Sequence, residues 1–150
     1  MRALIQVVDQ AEVTVDSMAV GSCGAGLCIF VGVVPTDTEG VADRLWHKIS
    51  HLRIFADGQG KTNLSVHDVK GSVLLVSQFT LCADVSRGMR PSFTGAAKPD
   101  LARRLFDHLV DEARRDLGED RVGEGVFGAH MKVSLTNNGP FTIWLDTETL

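Results

Sequence analysis

The sequence predicts an α+β fold, a curved, largely antiparallel and barrel-like sheet system with two main helices packed on one side. Three observations carry this. Strand-like stretches outnumber helical ones by about three to one. Only two stretches repeat their apolar residues at helical spacing, and these do not alternate regularly with strands as a parallel doubly wound sheet requires. No repeat, linker or low-complexity segment divides the chain, so its 150 residues, 44% of them hydrophobic, are expected to form a single domain, 1–150, that buries about two-thirds of its unfolded surface.

The elements follow in order. Residues 3–8, 11–15 and the apolar run 27–34 read as strands separated by short polar or Gly-rich turns. Thr36-Asp37-Thr38-Glu39 has the form of a capping box, and Val41, Leu45, Ile49 and Leu52 follow at helical spacing. Asp57-Gly58-Gln59-Gly60 is a loop, 63–66 a short strand and 72–81 a longer one. Its continuously apolar Val73-Leu74-Leu75-Val76 implies burial on both faces. A second helix opens near Pro99-Asp100, turns Leu101, Leu105, Leu109 and Ala113 inward and stops before Gly118. Residues 131–136 and 141–145 alternate with period two, and Asn137-Asn138-Gly139-Pro140 between them reads as the turn of a hairpin-like corner.

Composition narrows the function classes. A net charge of -4 argues against wrapping a nucleic-acid backbone, which is driven by neutralising many phosphates at once, but not against holding one end of an RNA. Local cations occur at Arg87, Arg90 and Lys98, and at Arg103 and Arg104, the latter two on the solvated face of a helix. The three cysteines form no C-x-x-C pair, which fits a reducing, cytoplasmic setting. The longest apolar run is broken by Gly32 and falls far short of a bilayer's thickness.

The familiar catalytic signatures do not occur. His47 and His51 are four apart on a helix, but without the glutamate of a zinc-protease motif or an evident third ligand they read as a solvated face, and no metal or cofactor is expected. Gly21, Gly24 and Gly26 precede a strand where a phosphate loop would precede a helix, and so read as turn glycines. Cys82 has no cation or base to lower its pKa and reads as buried packing. His130 is a lone histidine at a strand start, for which a structural reading is preferred to that of a base. There remain two segments. In Ser77-Gln78-Phe79-Thr80-Leu81 a deeply apolar strand ends in two hydroxyls and an amide, which must be satisfied or must line a pocket. In Asn137-Asn138-Gly139-Pro140-Phe141-Thr142 the chain exposes main chain and little side chain, since Gly has no Cβ and Pro no N–H.

These two segments resemble the S-Q-F-T-L and N-x-G-P-x-T signatures of the D-aminoacyl-tRNA deacylases. The similarity runs along nearly the whole chain, through residues 1–6, Leu52-Arg53-Ile54-Phe55 as a strand, 86–93, and 125–129 with Met131. It implies a D-aminoacyl-tRNA deacylase-like fold, a cytoplasmic homodimer and a Gly139-Pro140 turn, its peptide cis, that enters the partner's pocket. The implied substrate is the 3′ end of D-aminoacyl-tRNA, whose ester is hydrolysed. Implied site residues are Thr80, Phe79 and Ser77 for catalysis, and Gln78, Gly139, Pro140, Asn137, Thr142 and Met131 for binding. Thr80 is the candidate nucleophile or water-positioning group, with the ribose 2′-hydroxyl as the alternative source of activation, because no histidine or carboxylate is placed beside it in sequence. L-aminoacyl esters would be excluded by the turn while achiral glycine would enter. Two departures stand beside the turn. The family's arginine after Gln6 is replaced by Val7, with Arg2 or Arg53 as candidate substitutes, and Phe141 stands where Val is common. Alternatives are a related editing deacylase with a trans Gly-Pro turn acting on L-alanyl-tRNA, or a non-catalytic module binding nucleic-acid ends.

Overall fold

The computed structural model describes residues 1–150. Its frame is β1 (Arg2–Val15), one continuous strand of 14 residues where the sequence suggested two. At Asp9 and Gln10 the strand becomes exposed, shifts register against its partner by one residue and continues. A tight turn at Asp16 and Ser17, with φ of 48° and 66°, leads into β2 (Met18–Cys23), which the sequence did not announce because its residues are mostly exposed and carry no apolar alternation. β3 (Gly26–Gly32) follows.

Helix α1 (Glu39–His51) buries Ala42, Leu45, Trp46 and Ile49. The expected capping box is not formed: Thr38 is the N-cap and no side chain caps the first turn. The carboxylate of Asp37 is engaged elsewhere, accepting from Val34 N at 2.7 Å, so the helix starts later than Thr36 would set it. Leu52 lies just past the helix, and 52–55 is not a strand; only Phe55 enters β4 (Phe55–Ala56), which pairs with β5 (Thr62–Leu64). β5 stops before Ser65 because Asp68 captures Ser65 N at 2.8 Å and Ser65 Oγ at 2.7 Å, a local turn that competes with the ladder.

β6 (Ser72–Ser77) ends earlier than expected, and residues 79–81 are not strand but part of a 3₁₀ turn, Phe79–Cys82. Helix α2 (Pro99–Leu117) begins with Pro in its first turn and ends at Gly118, whose φ is 96°. Its apolar stripe buries Leu105, Phe106, Leu109, Val110 and Ala113. Trp46 Nε1 donates to Asp116 Oδ2 at 2.9 Å, tying α1 to α2. β7 (Val122–Glu124) and β8 (Lys132–Asp146) complete the chain.

The principal sheet runs β2-β1-β3-β6-β7, with β8 on the other edge of β1. β1 is antiparallel to β2, β3 and β8, whereas β3·β6 and β6·β7 are parallel. The sheet is therefore mixed, and each helix is a crossover between parallel neighbours. One core packs both helices against Ala3, Ile5, Leu27, Ile29, Val73 and Leu75, while Val8, Val13, Cys28, Leu74 and Val76 form a second cluster on the opposite face. The ends of the sheet nearly meet. A Cβ on Gly123 would lie 2.3 Å from Ser22 O, and one on Gly21 would lie 2.0 Å from Glu124 O, so β2 and β7 close the barrel-like curve through bare main chain.

That seam makes a testable expectation. Gly123→Ala should cost about 2–4 kcal/mol, lowering Tm by roughly 5–15 °C, because backbone cannot yield as a flexible side chain can. Gly24→Ala, where a Cβ meets nothing within 4 Å, should leave Tm nearly unchanged in the same thermal melt. Equal behaviour of the two would show the seam is looser than described.

Candidate functional site

The Gly-Pro segment is not a hairpin corner. Its two flanks do not pair with each other; both lie on β1 within a single strand, β8. Gln6 faces Thr142 and Val8 faces Asn137, so β1 advances two residues (6 to 8) while β8 advances five (142 to 137). Residues 138–141 are thus extruded from an otherwise continuous ladder as a wide bulge. Asn138, Gly139 and Pro140 are exposed, and the Gly139–Pro140 peptide is cis. Gly139 has φ of 122°, and a Cβ there would sit 3.0 Å from Phe141 N, which restricts the position to glycine.

The base of the bulge is closed by one side chain. Asn137 Nδ2 donates to Val7 O at 2.9 Å and to Phe141 O at 3.0 Å, while its Oδ1 accepts from Thr142 Oγ1 at 3.3 Å. Gln6 Nε2 reaches the same threonine hydroxyl at 3.3 Å, and Asn138 Nδ2 donates to Asp9 Oδ1 at 2.7 Å. Val7 contributes only its carbonyl to this network; its side chain, 9% exposed, belongs to the main core. Neither candidate replacement for the family arginine touches the turn. Arg2 donates to Leu81 O at 3.3 Å and to Asp146 Oδ2 at 3.2 Å, and Arg53 is bound to Asn63.

The second segment sits at the end of β6. Gln78 N donates to Val31 O at 2.7 Å, the last link to β3, and the chain then coils into the 3₁₀ turn, with Leu81 N to Gln78 O at 3.2 Å and Ala83 N to Thr80 O at 3.1 Å. The opening N–H groups of such a turn, those of Phe79 and Thr80, have no partner within it. Phe79 is 56% exposed and meets Phe93 edge-on at 5.1 Å. Thr80 is exposed, and its Oγ1 accepts from the Gln78 side-chain amide. Ser77 is half-buried at the strand end. Behind the turn, Gly32 approaches so closely that a Cβ would meet Cys82 Sγ at 3.0 Å and Gln78 O at 3.1 Å.

No base accompanies Thr80. An amide N–H can hold its oxygen but cannot take its proton, and neither histidine nor carboxylate bonds to it. Burial pushes the Cys82 thiol up, with the Arg2 cation opposing; Cys23 and Cys28 are raised to about 11 and about 12, again chiefly by burial. None of the three is a poised nucleophile. His130 is exposed and bonds to neither segment. Met131 packs half-buried against Gly125 and the second cluster.

The two segments are not brought together within the chain. β8, which bears the bulge, is separated from β6 by β1 and β3, roughly 14 Å across three inter-strand spacings. Two open depressions lie away from both segments. They measure about 320 and 410 Å³ and lie beside α1 and α2, lined by residues such as His47, His51, His67 and Asp116. His47 and His51 stack at 4.2 Å, and the His67 ring lies 5.3 Å from that of His51. In the nearby Asp43, His108 and Glu112 group, His108 bonds to Asp43 at 2.6 Å and Glu112 pairs with Arg115. We take the exposed main chain of the signature segments, rather than these solvated depressions, as the candidate site.

Asn137→Ala should leave a folded protein destabilised by about 1–3 kcal/mol, the net worth of its hydrogen bonds, while freeing the turn. Crystal structures of the variant should show residues 138–141 displaced with β8 otherwise intact. An undisturbed turn would mean that Asn137 does not hold it.

A family model described as D-Tyr-tRNA(Tyr) deacylase matches residues 4–146. The D-aminoacyl-tRNA deacylase of Thermomicrobium roseum is 54% identical over 150 residues, covering 100% of this chain and 96% of that one. The protein of the same name from Deinococcus radiodurans is 52% identical over 146 residues, 97% and 99% of the two chains. Among solved structures, one described as c-Myc DNA Unwinding Element Binding Protein superposes with a TM-score of 0.93 at 35% identity, over 97% of this chain and 98% of that one.

Proposed function

The chain belongs to the D-Tyr-tRNA(Tyr) deacylase family and is a hydrolase of the D-aminoacyl-tRNA ester bond, and from that premise we propose how its two segments divide the work. The single domain 1–150 acts in the cytoplasm as a homodimer, each copy placing its Gly139-Pro140 turn over the Ser77-to-Leu81 segment of the other. What carries this reading is the separation just described: the turn and the 3₁₀ segment lie on strands that two others keep apart, so one chain cannot close its own site. The outer edge of β8 has no strand partner and Trp144 on that strand is 47% exposed, as suits a surface awaiting a second copy.

Phe79 and Gln78 form the wall against which the 3′-terminal adenosine rests. The opening N–H groups of the 3₁₀ turn face the ester and stabilise the oxyanion, each such donor being worth about 10²–10³ in rate. Gly139 and Pro140 can meet the substrate only with carbonyl oxygens and a ring. Set against the α-carbon, they leave room for hydrogen but not for an L side chain, and they make no contact that depends on what the D side chain is. Glycyl-tRNA, having no side chain to exclude, is also hydrolysed.

An aminoacyl ester is already activated, and Thr80 lacks a base, so the ribose 2′-hydroxyl supplies the activation and Thr80 positions water. Atoms balance simply: water adds to the carbonyl carbon, the ester C–O bond breaks, and the ribose oxygen leaves with a proton.

Two measurements test this. With enzyme well below substrate, D-tyrosyl-tRNA should be turned over repeatedly while L-tyrosyl-tRNA persists; rapid release of L-alanine from L-alanyl-tRNA would overturn the chirality assignment, and protection without turnover would favour a binding module. Separately, Thr80→Ala should keep activity within about 10-fold, whereas a tRNA ending in 2′-deoxyadenosine should lose about 100-fold or more. The reverse pattern would make Thr80 the catalytic group.

A further inference from the structure

Immediately after the 3₁₀ turn the chain leaves the body of the protein in a loop whose construction the hydrolytic site does not use. Asp84 and Ser92 form a two-bond bridge, Asp84 N to Ser92 O at 2.8 Å and Ser92 N to Asp84 O at 2.9 Å, that closes residues 85–91 into an exposed arm. The arm begins three residues after Cys82 and returns through Ser92 to Phe93, the ring packed edge-on against Phe79. It is therefore rooted at both ends on the wall of the site.

Its side chains have no partners. Val85 is 70% exposed and Met89 fully so, at 101%. Arg87 and Arg90 are exposed and join no ion pair. Of the other arginines, those at 2, 53, 114, 115 and 121 are engaged with carboxylates, carbonyls or an amide and Arg103 lies over the Phe127 ring, while Arg44 and Arg104 are unpaired on the helices α1 and α2. Lys98 is likewise unpaired and exposed at the start of α2, and the segment before it is held against the same region, with Ala97 N donating to Val33 O at 2.9 Å and Cys82 Sγ to that carbonyl at 3.5 Å. The acid at the arm's root, Asp84, is exposed, and its Oδ1 accepts from Ser86 N at 2.9 Å rather than pairing with a cation. A chain of net charge -4 thus places three cations that join no ion pair in the segment 87–98, which also carries Phe93 of the exposed aromatic pair. Cations flanking an aromatic platform are the chemistry that receives single-stranded nucleic acid, charges to the phosphates and ring to a base.

We propose that the arm 85–91, with Arg87 and Arg90 and assisted by Lys98, holds the backbone phosphates of the single-stranded 3′ end of the substrate RNA next to its terminal nucleotide, so that affinity for the RNA is separate from recognition of the ester. This rests on the deacylase reading. The arm is a positioning element and touches no reacting atom.

The test compares the parent protein with the Arg87→Ala/Arg90→Ala double variant on two substrates, D-tyrosyl-tRNA and D-tyrosyl-adenosine, the second having the ester and base but no phosphate. On the tRNA the variant should show KM raised about 10- to 30-fold with kcat little changed. The dependence of log kcat/KM on log salt should become shallower by about 0.7 per lost phosphate contact, hence about 1.4 for two. On D-tyrosyl-adenosine parent and variant should match, and Arg87→Lys/Arg90→Lys should recover most of the tRNA effect, because phosphate contact needs charge more than shape. Equal loss on both substrates would overturn the proposal by making the arm part of the ester pocket, and no loss on either would overturn it outright. A fall in molar mass by light scattering would overturn it in favour of a contact between copies. Should the parent hydrolyse neither substrate, the deacylase reading fails, and fluorescence anisotropy with uncharged tRNA still decides the arm: weaker, less salt-sensitive binding by the variant supports it, and unchanged binding overturns it.

Discussion

The structure depends on the ladder between β1 and β8. β1 gives one whole edge to β8 and divides the other between β3 and β2, so every element is placed relative to this strand. In such a ladder main-chain donors and acceptors are satisfied pairwise, and three extra residues in one strand must find partners outside it. Asn137 resolves this locally, its side-chain amide standing in for the main-chain bonds that the bulge omits. The Gly-Pro turn can protrude as bare main chain because the ladder resumes on both sides of it. Its rigidity is borrowed from the sheet.

The same economy governs the other half of the site. Where β6 runs out at Ser77, Gln78 keeps one bond to β3 and the chain coils at once. Gly32 admits the coil close against β3, and Arg2 holds its far side through Leu81 O. Both halves thus present main chain held by well-packed strands, and the groups with shifted pKa values are buried thiols, solvated turn aspartates and Arg114. A site made of N–H donors and carbonyl oxygens needs no tuned acid or base, provided that its substrate is an activated ester.

The fold was legible where burial writes a pattern. α2 appears in the sequence from Pro99 to Gly118 because its apolar stripe and both termini carry signals. The continuous apolar run at 73–76 signals a strand covered on both faces, and it is this strand that lies in the parallel part of the sheet. β2 left no trace because an exposed strand needs no apolar period. The long β1 and β8 each look like two strands in sequence, since the exposed register shift at Asp9 and the bulge at Gly139 both resemble turns in one dimension. At the site, the two short segments were legible only as resemblances. Neither spacing nor composition could tell that they lie two strands apart, nor that Asn137, expected as a binding residue, closes the base of the turn.

The substitution at position 7 follows from the same geometry. Val7 sits opposite the bulge with its side chain in the main core, and Phe141, at the end of the bulge, packs against that core. Where the family pattern pairs a long cation with a small aliphatic residue, this chain pairs a small aliphatic residue with a large aromatic one, so apolar volume is kept near the turn while charge is lost. A buried arginine would need its own partners to offset desolvation. A neutral amide makes the two bonds, to Val7 O and Phe141 O, with far less to desolvate. In this chain the turn is held by an amide on β8 itself, while Val7 and Phe141 add apolar volume to the core beside it.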